Sequence, residues 1–259
     1  MSNIQKAFDR GKALIAFLTC GDPDLETTER LIAAMAAAGA DLIELGIPFS
    51  DPTAEGPVIQ AANLRALSGG TTTDAVFDMV RRVRQTVAVP LVFMTYANVV
   101  FSYGTERFIR TAAEVGMDGL ILPDVPFEEK GEFAPACRAY GLDFVPLVAP
   151  TSKGRVPMIA KEAEGFVYCV SSLGVTGMRD SITSEIGAMV GRVRAATDLP
   201  AAVGFGISTP EQAAEMAREA DGVIVGSAIV DLIGQYGREA EPAVSACVSA
   251  MKKAITSGP

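Results

Sequence analysis

The chain has 259 residues, 49% of them hydrophobic and 20% charged, with a net charge of −9 and no histidine. Length and composition describe an ordinary globular protein with an ample core, and the acidic balance argues against nucleic acid or an anionic membrane surface as partner. The absence of histidine excludes Ser-His-Asp and Cys-His catalysis in their usual forms and removes the commonest zinc ligand, so any proton transfer falls to Asp, Glu, Tyr, Lys or Cys.

The first twelve residues hold no apolar run of the signal-peptide kind, and no stretch approaches about 18 uncharged apolar residues. Cys20, Cys137, Cys169 and Cys247 are scattered, with no CxxC spacing. That pattern predicts reduced thiols in a cytoplasmic protein, with neither a disulfide frame nor a metal site.

Residues 4–12 read as a short amphipathic helix, followed by an apolar run of strand length at 13–19 and the turn GDPD. Leu31, Met35 and Ala38 recur at helical spacing until Gly39. The pattern then repeats. Strands are predicted at 41–45, 90–95, 118–122, 143–148, 165–170, 200–203 and 222–225. The helices between them are predicted at 58–67, 73–87, 105–116, 128–140, 156–162 and 184–197. Ser208-Thr209-Pro210 caps a further helix, and helix follows the last strand towards Lys253.

The strands are apolar on consecutive residues, as in a parallel sheet covered on both faces by helices. Eight such units without a linker predict an α/β fold: a single (β/α)8 TIM barrel over 1–259, with an extra N-terminal helix and a short helix at the eighth loop. A doubly wound open sheet is the competitor. It usually shows a glycine-rich fingerprint after its first strand, where this chain has TCGDPD.

In a barrel of this kind the chemistry sits at the C-terminal ends of the strands. Those ends offer Thr19 and Asp22, Glu44, Tyr96 and Asn98, Asp124, Thr151, Ser171 and Ser172, Gly204–Gly206, and Gly226-Ser227. Glu44 ends a buried strand, where desolvation disfavours its charge. It either does chemistry or simply reaches solvent. The seventh and eighth ends, GFGIS and VGSAI, are glycine turns running into helix starts, an arrangement suited to phosphate. The sixth loop, SSLGVTGMRDSITSE, is long enough to be a lid or merely a mobile loop. Lys153 is the one lysine near a strand end, so a Schiff base is not expected. Asp51 is either a third participant or a turn residue before Pro52. The residues thus predict carboxylate acid/base work, by Glu44 and Glu55, on a phosphorylated small molecule.

The stretch Glu44 to Gln60, ELGIPFSDPTAEGPVIQ, closely resembles the signature of the tryptophan synthase alpha subunit family, roughly ELGxPFSDPxADGPxIQ. FLTCGDPD, YANVVFSYG, DGLILPDVPFEE, APTS, SSLGVTG, GFGIS and VGSAIV match further family segments, in family order and along nearly the whole chain. The resemblance implies cleavage of indole-3-glycerol phosphate to indole and glyceraldehyde 3-phosphate, late in tryptophan biosynthesis. It implies an α2β2 assembly in which a PLP-dependent beta subunit receives indole through a tunnel, and no cofactor in this chain.

Carried over by motif, Glu44 is the general acid/base and Glu55 the carboxylate that accepts the indole N–H. Thr176 is the lid residue that closes onto Glu55. Gly177, Gly206, Gly226 and Ser227 contact phosphate. Phe17, Ile59, Tyr96, Ile121, Tyr168, Phe205 and Ile224 line the pocket, and Asp51 lies in the loop facing the beta subunit. One departure stands out: the family's second carboxylate is usually Asp, and here it is Glu55, one methylene longer. The loop must sit differently or the side chain must fold back, and Thr53, where an apolar residue is common, is a candidate part of that adjustment. Another phosphate-handling barrel is a rival reading, though such enzymes typically use a strand-end Lys or His. A catalytically weak regulatory barrel that activates a partner is the second rival.

Overall fold

The computed structural model describes residues 2–170, 179–204 and 206–257. Its strands are β1 (Ala13–Thr19), β2 (Leu42–Gly46), β3 (Leu91–Met94), β4 (Gly119–Ile121), β5 (Asp143–Phe144), β6 (Leu147–Val148), β7 (Val167–Val170), β8 (Ala201–Gly204) and β9 (Gly222–Val225). All pair in parallel, in the order β5-β4-β3-β2-β1-β9-β8-β7-β6. The two outermost segments of that order are consecutive in the chain. They are the halves of the predicted fifth strand, parted at Pro146, which has no N–H to donate. Across the break the Val145 N–H donates to the Leu120 carbonyl at 3.0 Å, and the Pro146 carbonyl accepts from the Tyr168 N–H at 3.0 Å. One half therefore pairs leftwards, the other rightwards, and the sheet closes into a barrel.

Every residue of β1, β2, β8 and β9 is buried, as the consecutive apolar runs predict. Alternation divides them between two cores. Leu14, Ala16, Leu18, Ile43, Leu45 and Phe93 pack outwards against the helices. Ile15, Leu42, Val92, Ile121, Val145, Tyr168, Ala202 and Ile224 pack inwards and fill the barrel. Ile4, fully buried in the same inner cluster, brings the N-terminal segment into contact with that filling.

The helices differ from expectation where proline and glycine interrupt them. The predicted helix 128–140 is a 3-10 turn, Phe127–Glu132, followed by a helix, Ala134–Tyr140, that restarts around Pro135. The helix after β9 is two helices, Ser227–Tyr236 and Glu241–Thr256, parted at Gly237, whose φ is 53°. The N-terminal helix spans only Asn3–Lys6 before turning. A short helix at Ala97–Tyr103 was not anticipated.

One glycine shapes the top of the barrel by its lack of a side chain. A Cβ on Gly204 would lie 2.6 Å from the Tyr168 hydroxyl oxygen and 2.8 Å from its ring. Gly204→Ala should therefore displace Tyr168 and destabilise the fold by about 1–3 kcal/mol, as overpacking does. Chemical denaturation would measure it, and an unchanged midpoint would show that Tyr168 moves freely.

Candidate active site

On β2, Leu42 faces the barrel interior while Ile43 and Leu45 face the helices, so alternation turns Glu44 inwards. Register places it beside Phe17 of β1 and Val92 of β3. Glu44 is 1% exposed, so it does not reach solvent, and neither carboxylate oxygen has a hydrogen-bond partner among the described residues. Burial pushes its carboxyl up to about 8. At neutral pH the group is mostly protonated, and it can give up a proton and take one back.

Glu55 comes from the loop after β2, just before the helix Pro57–Ser68. The Asn63 side-chain amide donates to its Oε2 at 2.5 Å. The Tyr96 hydroxyl accepts the N–H of the neighbouring Ala54 at 3.1 Å. Burial raises the Glu55 carboxyl above the usual glutamate range, and the hydrogen bond from Asn63 pulls it partly back. The longer side chain is tied to the Pro57–Ser68 helix through Asn63.

Both carboxylates face one cavity of about 120 Å³. Phe17, Ile59, Tyr168 and Ile224 supply apolar wall, and Gly206, Gly226 and Ser227 join them. Ala54, Gly56, Met94 and Ile207 also line it and were not anticipated. Met94 was readable: it ends a strand whose alternation with Val92 turns it inwards. Tyr96 and Ile121 are not part of the wall. Tyr96 holds the Ala54 N–H from outside it, and Ile121 is fully buried in the barrel interior. Thr176, Gly177 and Phe205 lie outside the described residues, as does the segment 171–178.

Gly226 immediately precedes the ten-residue helix Ser227–Tyr236, with no side chain capping its N-terminus. The first N–H groups of a helix have no partner within it and suit an anion. Among the described residues no Lys or Arg lines the cavity, so an anion there would rest on backbone N–H groups. Gly206 has a φ of 74°, in the region that favours glycine.

Other strand-end candidates are engaged elsewhere. Asp22 is held by Arg65 in a two-point ion pair at 2.8 and 2.7 Å. Asp124 accepts the Ala97 N–H at 3.1 Å, at the start of the Ala97–Tyr103 helix. Asp51 is exposed and accepts from the Ser50 hydroxyl, away from the cavity wall. Thr151 is exposed, in the 3-10 turn Pro150–Arg155. No group of three or more Cys, Asp or Glu among the described residues could hold a metal ion, and none of their helices is long and apolar enough to cross a membrane.

The sequence matches the family profile described as tryptophan synthase alpha chain over residues 4–256. It is 47% identical to the tryptophan synthase alpha chain of Lacticaseibacillus casei, covering 98% of this chain and 96% of that one. It is 49% identical to the corresponding chain of Citrifermentans bemidjiense, covering 100% and 99%. Among solved structures, the tryptophan synthase subunit alpha of Legionella pneumophila superposes with a TM-score of 0.90 at 39% identity, covering 99% of each chain. A tryptophan synthase structure from M. tuberculosis superposes with a TM-score of 0.88 at 33% identity, covering 98% of each.

Proposed function

The chain belongs to the tryptophan synthase alpha chain family, and from that premise we propose how its cavity cleaves indole-3-glycerol phosphate. The overall reaction yields indole and glyceraldehyde 3-phosphate, and the chain acts with a beta subunit in an α2β2 complex. Glu44 enters protonated and gives its proton to the ring carbon that bears the side chain. Positive charge spreads to the ring nitrogen, whose N–H faces the Glu55 carboxylate. The Glu44 carboxylate then takes the proton of the neighbouring hydroxyl. As that oxygen becomes an aldehyde, the carbon–carbon bond breaks and its electron pair returns to the ring. Glu44 ends as it began, so protons balance without outside help.

The observation that carries this reading is a fully desolvated carboxyl, free of any partner among the described residues, facing a second carboxylate across an apolar cavity. The substrate phosphate rests on N–H groups at Gly226, Ser227 and Gly206, with Gly177 and the lid residue Thr176 supplied by the sixth loop. Phe205 completes the pocket, and Asp51 faces the beta subunit. In this reading the chain needs no cofactor of its own, PLP belonging to the beta subunit. It works as a single cytoplasmic domain, which its four free cysteines suit. An assay of the purified chain on indole-3-glycerol phosphate, alone and with a beta subunit, tests the whole. Absence of indole in both would overturn it.

The phosphate assignment has its own test. Ser227→Asp puts a carboxylate at a helix N-terminus, which the helix tolerates well, but sets it against the phosphate. KM should rise at least tenfold, about 1.4 kcal/mol of lost binding, with the thermal midpoint unchanged. An unaltered KM would move the phosphate elsewhere, for example towards Arg155, which pairs with Glu128 at 2.9 Å.

A further inference from the structure

Glu55 reaches further than the aspartate that the family signature usually carries, and the structure shows where the extra length goes. Two turns into the helix that follows the loop, Asn63 is 4% exposed, a buried amide on a helix whose other buried residues are Ala62 and Ala66. Its one described hydrogen bond is the 2.5 Å donation to Oε2 of Glu55. Glu55 is fixed from other directions too. Its carbonyl accepts the Gln60 side-chain amide at 2.8 Å, and the N–H of the preceding Ala54 is held by the Tyr96 hydroxyl at 3.1 Å.

We propose that Asn63 is a positioning residue that holds the longer Glu55 carboxylate in place and ionised, as a matched partner to Glu at this position. The inference rests on the role given to Glu55 above. A buried amide that donates its N–H to a carboxylate stabilises the charged form over the neutral one, since the neutral acid gains less from a donor. The ionisable groups around Glu55 make such a donor necessary. Tyr96 just before the Ala97–Tyr103 helix, Glu44 on β2 and Tyr168 on β7 are all neutral or acidic, and no Lys or Arg is in the cavity wall among the described residues. Asn63 therefore takes the place that a cation would otherwise fill.

The test compares wild type, Asn63→Leu, Glu55→Asp, and Glu55→Asp with Asn63→Gln. That double variant moves one methylene from the acid to the amide and so rebuilds the span. The readouts are the ¹³C NMR titration of the carboxyl at position 55, the pH profile of kcat/KM, and kcat and KM separately. In Asn63→Leu the titration midpoint should rise by at least one pH unit, with the acid limb of the rate profile following it. Turnover should fall tenfold or more while KM stays within threefold. Glu55→Asp should lose the contact from the other side, and adding Asn63→Gln should restore the titration and at least a third of the lost rate.

A titration midpoint unchanged in Asn63→Leu would overturn the proposal, even if the variant is less stable, because a merely structural amide would not tune ionisation. Should Asn63→Leu fail to fold, the comparison of Glu55→Asp with its double variant decides, and no restoration would overturn the proposal. A wild type inactive on indole-3-glycerol phosphate would overturn the reading of the site, while the titration would still decide the part played by Asn63.

Discussion

Replacing Glu44 by Gln should lower turnover by about a hundredfold to ten-thousandfold, the usual range for removing a general acid–base group, while KM stays within a few-fold. The amide keeps the shape of the carboxyl and fills the same place beside Phe17, but it cannot carry a proton from oxygen to carbon. Retention of more than about a tenth of the wild-type rate would sink the role. The same substitution has a signature in stability, whose sign follows from burial. The folded carboxyl titrates at about 8 and the unfolded one near the ordinary 4.5. Below that lower value both are protonated and Glu44 costs nothing. Between the two, the unfolded chain ionises and the folded chain does not, so wild-type stability declines with rising pH until the full penalty is reached above about pH 8. Gln escapes this. The variant should gain on wild type by up to several kcal/mol between pH 5 and pH 8, an order-of-magnitude figure. Urea unfolding at the two pH values would show it, and parallel behaviour would mean that Glu44 is solvated in solution.

The second large effect belongs to Glu55. Its carboxylate faces an N–H that becomes more acidic as the ring gains charge, so its stabilisation grows towards the transition state. Removing one such preorganised partner costs on the order of a hundredfold to a thousandfold in kcat. Glu55→Gln should therefore lose that much turnover with little change in ground-state affinity. Glu55→Asp separates two explanations of the longer residue. Asp draws the oxygens back by about 1.5 Å, the length of one carbon–carbon bond, and parts them from Asn63, which now donates at 2.5 Å. A rate at least tenfold below wild type is expected. A rate equal to wild type would show that the loop accepts either acid and that the Asn63 contact is incidental.

Much of this was legible in the residues themselves. Consecutive apolar runs at 13–19 and 222–225 announced strands buried on both faces, because only a sheet covered inside and out leaves no side for polar residues. Pattern and motif together pointed to Glu44 and Glu55, since a carboxyl ending such a strand needs a reason. The lack of histidine left proton transfer to Asp, Glu, Tyr, Lys or Cys, and the position of Glu44 at a strand end favoured the carboxylates.

The tertiary structure alone decided what depends on distance between segments far apart in the chain. Whether Glu44 met solvent or a cavity lined by apolar residues turned on neighbouring strands and on helices up to Ser227. The closure of the barrel turned on Pro146: a missing N–H parts the fifth strand in sequence, yet β4 and β7 each take one half. Asp22 stood among the polar residues near the strand ends, and Arg65, 43 residues on, holds it in an ion pair outside the cavity wall. Asn63 gave almost no signal, because an amide in a helix reads as surface until packing buries it. A side chain's type and strand parity are local properties that sequence determines; which partner satisfies a buried polar atom is a property of the packed whole.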